Sequence, residues 1–298
     1  MKPLRYEFLT PDRYPEMFRT FREAFSDYGV DMSYLTEISL ANRWRKNAVS
    51  FEASVGAFDG NRMVGFMAVG LDAWRGRRAA FDAGTGVVRE FRGFGVGPAL
   101  FDLAIRGLRG RSVETFVLEV IRTNKAAVGT YKKLGFRIRR EFDCYQRLPA
   151  PVRPGADDGP AGLVIEPAGR DLLPRFAAFA DWLPSWENSF ASLDRIPDEL
   201  RIHGARLDGR WVGFAAYYPG LRWVTNIAVD PAFRRRGIAA RLMDRLLGDV
   251  SGEPAPVKLI NVEPADAATA ALAEKAGFAV YARQYEMERF FDTAGRLC

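Results

Sequence analysis

Histidine and cysteine are nearly absent. The 298 residues include one histidine, His203, and two cysteines, Cys144 and Cys298. A single histidine argues against a histidine-based triad and against zinc chemistry, and no metal is expected. Two cysteines form neither a disulfide framework nor a metal-ligand spacing, which fits a reducing cytoplasm. No apolar run reaches the roughly 18 residues of a membrane span. The opening MKPLRYEFLT has no apolar signal core, so neither a membrane nor secretion is expected. Basic residues outnumber acidic ones, for a net charge of +6. That balance suits an anionic ligand. The basic residues are spread rather than clustered, so nucleic acid is not an expected partner. His203 lies in the strand-like run LRIHGARL and reads as structural.

What is present is a duplication. Phe91, Arg92 and Gly95 match Phe233, Arg234 and Gly237, and Gly135 and Phe136 match Gly277 and Phe278, each 142 positions on. Upstream, FDGNRMVGFMAVG and LDGRWVGFAAYYPG read as the same hairpin. There the spacing is 149, so the first copy carries a longer loop, DAWRGRRAA. With two copies of this length, the chain is a tandem of one module rather than a solenoid. The expected domains are 1–147 and 163–298. The Pro- and Gly-rich stretch 148–162 reads as an extended linker. Hydrophobic residues at 48% are enough for two cores.

Each copy reads as helices, antiparallel strands, then strand–helix–strand–helix–strand: an α/β (α+β) mixed sheet. Thr10 with Pro11 announces a first helix, and a second is expected through SYLTEISLANRWRK. Val96, Leu100, Leu103 and Ala104 share one face of a third.

The stretch REFRGFGVGPALFDLAIRGL places Arg92 and Gly93, Gly95 and Gly97 directly before that helix. A helix start offers unpaired N–H groups and the positive end of its dipole. Glycines let an anion approach the backbone, and Arg92 adds charge. Together Arg92, Gly93, Phe94, Gly95, Val96 and Gly97 read as a phosphate cradle. The run is not a nucleotide P-loop, since no Gly-Lys-Ser/Thr follows, and it lacks the Rossmann spacing. A tight strand-to-helix turn is the plain alternative.

R-x-x-G-x-G in the first copy and R-x-x-G-x-A in the second resemble the pyrophosphate loop of the GNAT acetyltransferase superfamily. The block EVIRTNKAAVGTYKKLGF resembles that family's second motif. The resemblance implies two GNAT domains, each with two parallel strands that diverge to hold acetyl-CoA. It implies that the pantetheine arm runs along Thr85, Gly86 and Val87, with the Val87 region supplying an oxyanion N–H. In the second copy the same roles fall to Ile227, Ala228 and Val229, and the cradle to Arg234, Arg235, Arg236, Gly237, Ile238 and Ala239. Three consecutive arginines also read as a solvated cluster.

The resemblance further makes Asn124 a contact to the cofactor arm and Tyr131 the general acid for the departing thiolate, although Tyr131 also fits a core helix face. Asp82 and Glu119 are candidates to take the acceptor's proton, or are structural while water takes it. Strand parity sends Asp82 to the face opposite Thr85 and Val87. Asp27, Tyr28 and Asp72 are candidates to meet an amine acceptor, either a small molecule or a protein. In the second copy Asp266 and Ala273 stand where the first has Asn124 and Tyr131. The expected function is N-acetyl transfer by the first half. The alternatives are an acyl-CoA sensor or scaffold, or activity in the second half. The oligomeric state is not legible.

Overall fold

The structure is a computed structural model that describes residues 3–27, 29–30, 32–151, 159–250 and 255–291. The chain divides into two compact units, one formed by 1–140 with 285–298 and the other by 141–284.

Unit 1 contains β1 (Arg5–Phe8), α1 (Tyr14–Ala24), α2 (Glu37–Lys46), β2 (Val49–Asp59), β3 (Arg62–Trp74), β4 (Arg77–Val87), α3 (Val96–Arg109), β5 (Thr115–Ile121) and α4 (Lys125–Lys133). Next comes β6 (Arg137–Arg147), which passes from unit 1 into unit 2. Unit 2 continues with β7 (Val164–Pro167), α5 (Leu173–Ala177), α6 (Phe190–Asp194), β8 (Arg201–Leu207), β9 (Arg210–Tyr218), β10 (Trp223–Val229), α7 (Ile238–Asp249), β11 (Val257–Val262) and α8 (Ala267–Lys275). The last strand, β12 (Ala279–Phe290), returns to unit 1 from Tyr285 onward. Each copy thus yields the end of its last strand to the other unit, so the compact units do not follow the repeat boundaries.

In unit 1 the strand order is β1-β2-β3-β4-β5-β12, antiparallel from β1 to β4 and parallel between β4 and β5. Helix α3 buries Val96, Leu100, Phe101, Ala104, Ile105 and Leu108, an i, i+4, i+5, i+8 stripe that explains why this segment is helical. Burying a side chain such as Phe101 contributes roughly 1.5–3 kcal/mol. Helices α1 and α2 cover the other sheet face, where Phe21 and Trp44 lie 6.3 and 5.9 Å from the Phe66 ring. Glu286 of β12, 1% exposed, is gripped by Arg140 at 2.6 Å and Arg75 at 2.9 Å. Glu288 accepts a 2.8 Å bond from Thr115 of β5.

Unit 2 repeats the layout in the order β7-β8-β9-β10-β11-β6. There His203, 5% exposed, lies 2.6 Å from Asp249, which also accepts the Tyr217 hydroxyl.

Two sequence expectations change. The stretch DAWRGRRAA is not a loop: β3 and β4 run through it and turn at Arg75 and Gly76, both at positive φ (51° and 74°), as a two-residue hairpin requires. Thr10 makes no side-chain cap; a 3-10 turn at Pro11–Arg13 intervenes before α1. Strands β1 and β7, four residues each, were not foreseen.

Candidate functional site

Strand β4 pairs with β5 only from Ala79↔Thr115 to Asp82↔Leu118. Beyond that point β4 runs on to Val87 and β5 to Ile121 without a shared ladder. The divergence begins at a bulge: Ala68 pairs with Gly84 and Val69 with Asp82, leaving Ala83 as the extra residue. A bulge bends its strand. Asp82 fastens this one. Its Oδ1 accepts the Gly84 N–H at 3.0 Å and the Thr85 hydroxyl at 2.9 Å. The parity expected for Asp82 is therefore reversed. One extra residue brings Asp82 and Thr85 to the same face. Burial pushes the Asp82 carboxyl up to about 6, against the opposing bonds from Thr85 and Gly84.

The backbone at the end of β4 is arranged for a ligand strand. Val88 N–H bonds to Val64 of β3, so by alternation the N–H groups of Thr85 and Val87 face away from β3, into the divergence. Gly86 is a glycine for packing: a Cβ there would lie 2.8 Å from Phe66 and 3.0 Å from Ala24.

Past Val87 the chain makes a 3-10 turn at Arg89–Phe91, then the glycine loop, then α3. Gly93 and Gly95 both have φ +80°, a region that favours glycine. A Cβ built on Gly93, Gly95 or Gly97 would meet nothing within 4 Å. Gly95 caps α3 without a side-chain bond, and the first intrahelical donor is Ala99. The N–H groups of Val96 and Gly97 thus lead the helix with no intrahelical acceptor, and Pro98 has none to offer. This open, donor-lined cradle fits the diphosphate of coenzyme A, and the bare β4 edge fits its amide arm. Phe94 is 66% exposed at the rim. Arg92 is placed differently from a free phosphate ligand. Its guanidinium forms a bidentate pair with Asp27, both contacts 2.8 Å, and also donates to Val87 O and Ala24 O. Arg92 first, and burial against it, act on the Asp27 carboxyl, whose pKa ends below its ordinary value.

Asn124 caps α4, accepting the Ala127 N–H at 3.1 Å. Tyr131, half-buried on α4, stands edge-on to Phe101 at 5.3 Å and Phe136 at 6.1 Å. Glu119 is the first β5 residue past the shared ladder, half-buried at the mouth of the divergence. Asp72 does not join this group. It pairs with Ala79 at the opposite end of β4, about 20 Å along the strand from Thr85 at roughly 3.3 Å per residue. Tyr28 lies outside the described residues.

Unit 2 rebuilds the frame. β10 and β11 share only Trp223↔Lys258 and Val224↔Leu259, with a bulge at Thr225, the position of Ala83. Asp230 N–H bonds to Val212 O, so Ile227 and Val229 face the divergence as Thr85 and Val87 do, with Ala228 between them. The loop Arg234–Gly237 leads to α7, and Gly237 has φ +78°. Ile238, Ala239 and Ala240 head the helix, one N–H more than in unit 1. Arg235 adopts φ 62° where unit 1 has Gly93. Arg236 packs its guanidinium 5.4 Å from the Phe233 ring. The mouth differs. Asn188 donates to Ile260 O at 2.9 Å, Asn226 donates to Asn188 O at 3.2 Å, and Asn261 donates to Ser185 at 2.9 Å. These bonds stitch 185–188 to both diverging strands.

The Acetyltransferase (GNAT) family matches the sequence twice, over residues 13–136 and 170–278. The chain belongs to the GNAT acetyltransferase family. N-alpha-acetyltransferase 30 of Schizosaccharomyces pombe (strain 972 / ATCC 24843) is 31% identical over 96 residues, 32% of this chain and 64% of that protein. The chain thus spans less than two thirds of that relative's length. A tandem GNAT protein from the clavulanic acid biosynthesis pathway superposes with TM-score 0.75 at 15% identity, covering 97% of this chain and 98% of that one. A GCN5-related N-acetyltransferase from Sphaerobacter thermophilus superposes with TM-score 0.72 at 17% identity, covering 97% and 96%. These likenesses establish a tandem GNAT fold.

Family membership brings coenzyme A thioester binding with it, and among the described residues no cluster fit for a metal ion occurs. Two features escaped the sequence reading of this GNAT chain. One is the Asp27–Arg92 pair, recurring as Asp181–Arg234, with contacts of 2.7 and 3.1 Å. The other is the amide cluster of unit 2. Asp27 and Arg92 were each singled out in the sequence, one for an acceptor and one for a phosphate, but not as a pair.

Proposed function

We propose that the chain is an acetyl-CoA-dependent N-acetyltransferase that moves an acetyl group to a primary amine by direct attack, with the chemistry in unit 1. One observation supports this reading: unit 1 carries the diverging strands and the open cradle together with a phenol, Tyr131 of α4, and a primary amide, Asn124, which caps that helix. Unit 2 has the same frame with Ala273, fully buried, and Asp266. The amine acceptor is supported by the name of the fission-yeast relative.

Acetyl-CoA supplies the thioester, the electrophile of the reaction. Gly93 to Gly97 hold its diphosphate on their N–H groups, and Thr85 and Val87 align its arm as an added strand. The Val87 N–H points where negative charge develops on the thioester oxygen. Asn124 caps α4 through its oxygen and keeps its amide hydrogens for the arm. Tyr131 delivers a proton to the departing sulfur. Asp82 or Glu119, at the mouth of the divergence, takes the proton that the ammonium must lose. A carboxyl near 6 is mostly ionised at neutral pH yet basic enough for that task.

The amino acids that retain the frame but not the acid favour a second role for unit 2: coenzyme A binding without turnover. The test is acetyl transfer by the full chain across a panel of primary amines. Tyr131→Phe should lower kcat by about 100-fold or more while acetyl-CoA affinity holds. Undiminished kcat in that variant would remove Tyr131 from the mechanism and return the chemistry to unit 2 or to another acid.

A further inference from the structure

The arginine that opens each phosphate loop faces inward. In unit 1, Arg92 donates Nε–H to Val87 O at 2.9 Å, pairs both terminal nitrogens with Asp27, and reaches Ala24 O at 2.7 Å. In unit 2, Arg234 donates Nε–H to Val229 O at 2.9 Å, pairs with Asp181, and reaches Phe179 O at 3.0 Å. The same four-bond set therefore forms twice. The partners are 65 residues apart in unit 1 and 53 apart in unit 2. The segments before the loop differ in length, and the 142-residue register fails there, yet the pair is rebuilt.

We propose that Asp27 and Asp181 are positioning residues for the two coenzyme A cradles, acting through Arg92 and Arg234, which are struts and not phosphate ligands. For coenzyme A as the ligand, the inference rests on the function proposed above. The guanidinium is planar and its donors are fixed in a fork. Two prongs are held by the carboxylate. The third fixes the carbonyl of Val87, whose own N–H faces the divergence. The same prong geometry ties the loop to the end of α1 through Ala24. One rigid group thus sets the loop, the end of the diverging strand and the end of α1 together. Removing the carboxylate frees two prongs and loosens all three. The pair is half-exposed, at 41% for Arg92 and 37% for Asp27, so a substituted chain should keep its fold.

The decisive property is the sign of the effect. If Arg92 is a strut, Asp27→Asn and Arg92→Ala both weaken coenzyme A binding, and the double variant is no weaker than either alone. If Arg92 is a phosphate ligand that Asp27 restrains, Asp27→Asn releases it and binding tightens. The measurement is calorimetric titration of the full chain with coenzyme A, alongside steady-state kinetics. Asp27→Asn should raise the Kd and the KM for acetyl-CoA about tenfold, the loss of roughly one charged hydrogen bond. Asp27→Glu should recover part of the loss. Amide hydrogen exchange without any ligand should show faster exchange over residues 88–97 in Asp27→Asn. Unchanged or tighter binding in Asp27→Asn, or unchanged exchange of that loop, overturns the strut. A native chain that ignores coenzyme A would instead overturn the proposed function, while the exchange experiment still decides the strut.

Discussion

The two units share a frame and differ in what lines it. Both diverge at a bulge in the same repeat position, both start a helix on a left-handed glycine, and both brace the loop with an Arg–Asp fork. In unit 1 the mouth carries Asp82 and Glu119. In unit 2 the corresponding ground is held by Val224 and Asn261, and Asn188 bonds to both diverging strands. The closing strands differ the same way. Glu286 of unit 1 sits in a buried ion cluster, and its repeat counterpart in unit 2, Cys144, sits beside Asn261 and Gln284. Binding geometry is a property of backbone and glycines and survives duplication. Acid–base chemistry depends on single side chains and can be lost from one copy. Unit 2 even keeps the loop shape with Arg235 in the left-handed region, at a cost of roughly 1–2 kcal/mol for a non-glycine residue.

The contrast can be pressed first through the closing strands. Glu286→Ala removes the buried carboxylate that Arg140 and Arg75 share and should cost about 3–5 kcal/mol in denaturant unfolding. Cys144→Ala should cost about 1 kcal/mol. Equal losses would erase the distinction between an ionic and a neutral closure.

Asp82 gives the next effect. Its carboxyl is raised from 3.8 to about 6 by burial, so the folded chain holds that proton more tightly than the unfolded chain. The stability this adds is fully present below 3.8 and is lost as pH rises through 6. At 1.36 kcal/mol per pH unit, the gap between native and Asp82→Asn should move by ~3 kcal/mol in favour of the variant between pH 3.5 and 7.5. In kinetics, an acidic limb of kcat/KM near 6 that vanishes in Asp82→Asn would mark it as the base. A limb that persists unchanged would leave Asp82 as the fastener of the bulge.

Smaller again is the exchange of caps. Asp266 caps α8 with a 3.0 Å bond to Thr269 N–H, as Asn124 caps α4. Asparagine and aspartate cap about equally, but only asparagine can also donate. Asn124→Asp should leave unfolding within about 0.5 kcal/mol of native and raise the acetyl-CoA Kd about tenfold. An unchanged Kd would mean that Asn124 is a cap and nothing more.

Much of this was written in the sequence. The glycine run beside Arg92 and its echo at Gly237 marked the strand-to-helix turns before α3 and α7, because left-handed turns favour glycine. The hairpin read in FDGNRMVGFMAVG is the β2–β3 pair. What was hidden was non-local or parity-breaking. The bulge at Ala83 reverses the side of Asp82, and the glycines of DAGTGV do not by themselves fix where the extra residue falls. The Asp27–Arg92 fork spans 65 residues. The Glu286 pair with Arg140 spans 146 residues and is likewise beyond local pattern. Asp72 looked like part of a loop because Arg-Gly-Arg-Arg masks a hairpin turn.

The central claim is that the N–H groups of residues 93–97 hold coenzyme A in unit 1. Calorimetric titration of the full-length chain with coenzyme A tests it most directly when native protein is compared with Gly97→Leu. A Cβ at Gly97 meets nothing within 4 Å, so leucine should leave the fold intact and fill the cradle mouth. The prediction is measurable binding by the native chain and an affinity at least about tenfold weaker for the unit 1 site in Gly97→Leu, with Ala239→Leu leaving that site unchanged. No binding by the native chain at millimolar coenzyme A, or undiminished binding by Gly97→Leu, would contradict it.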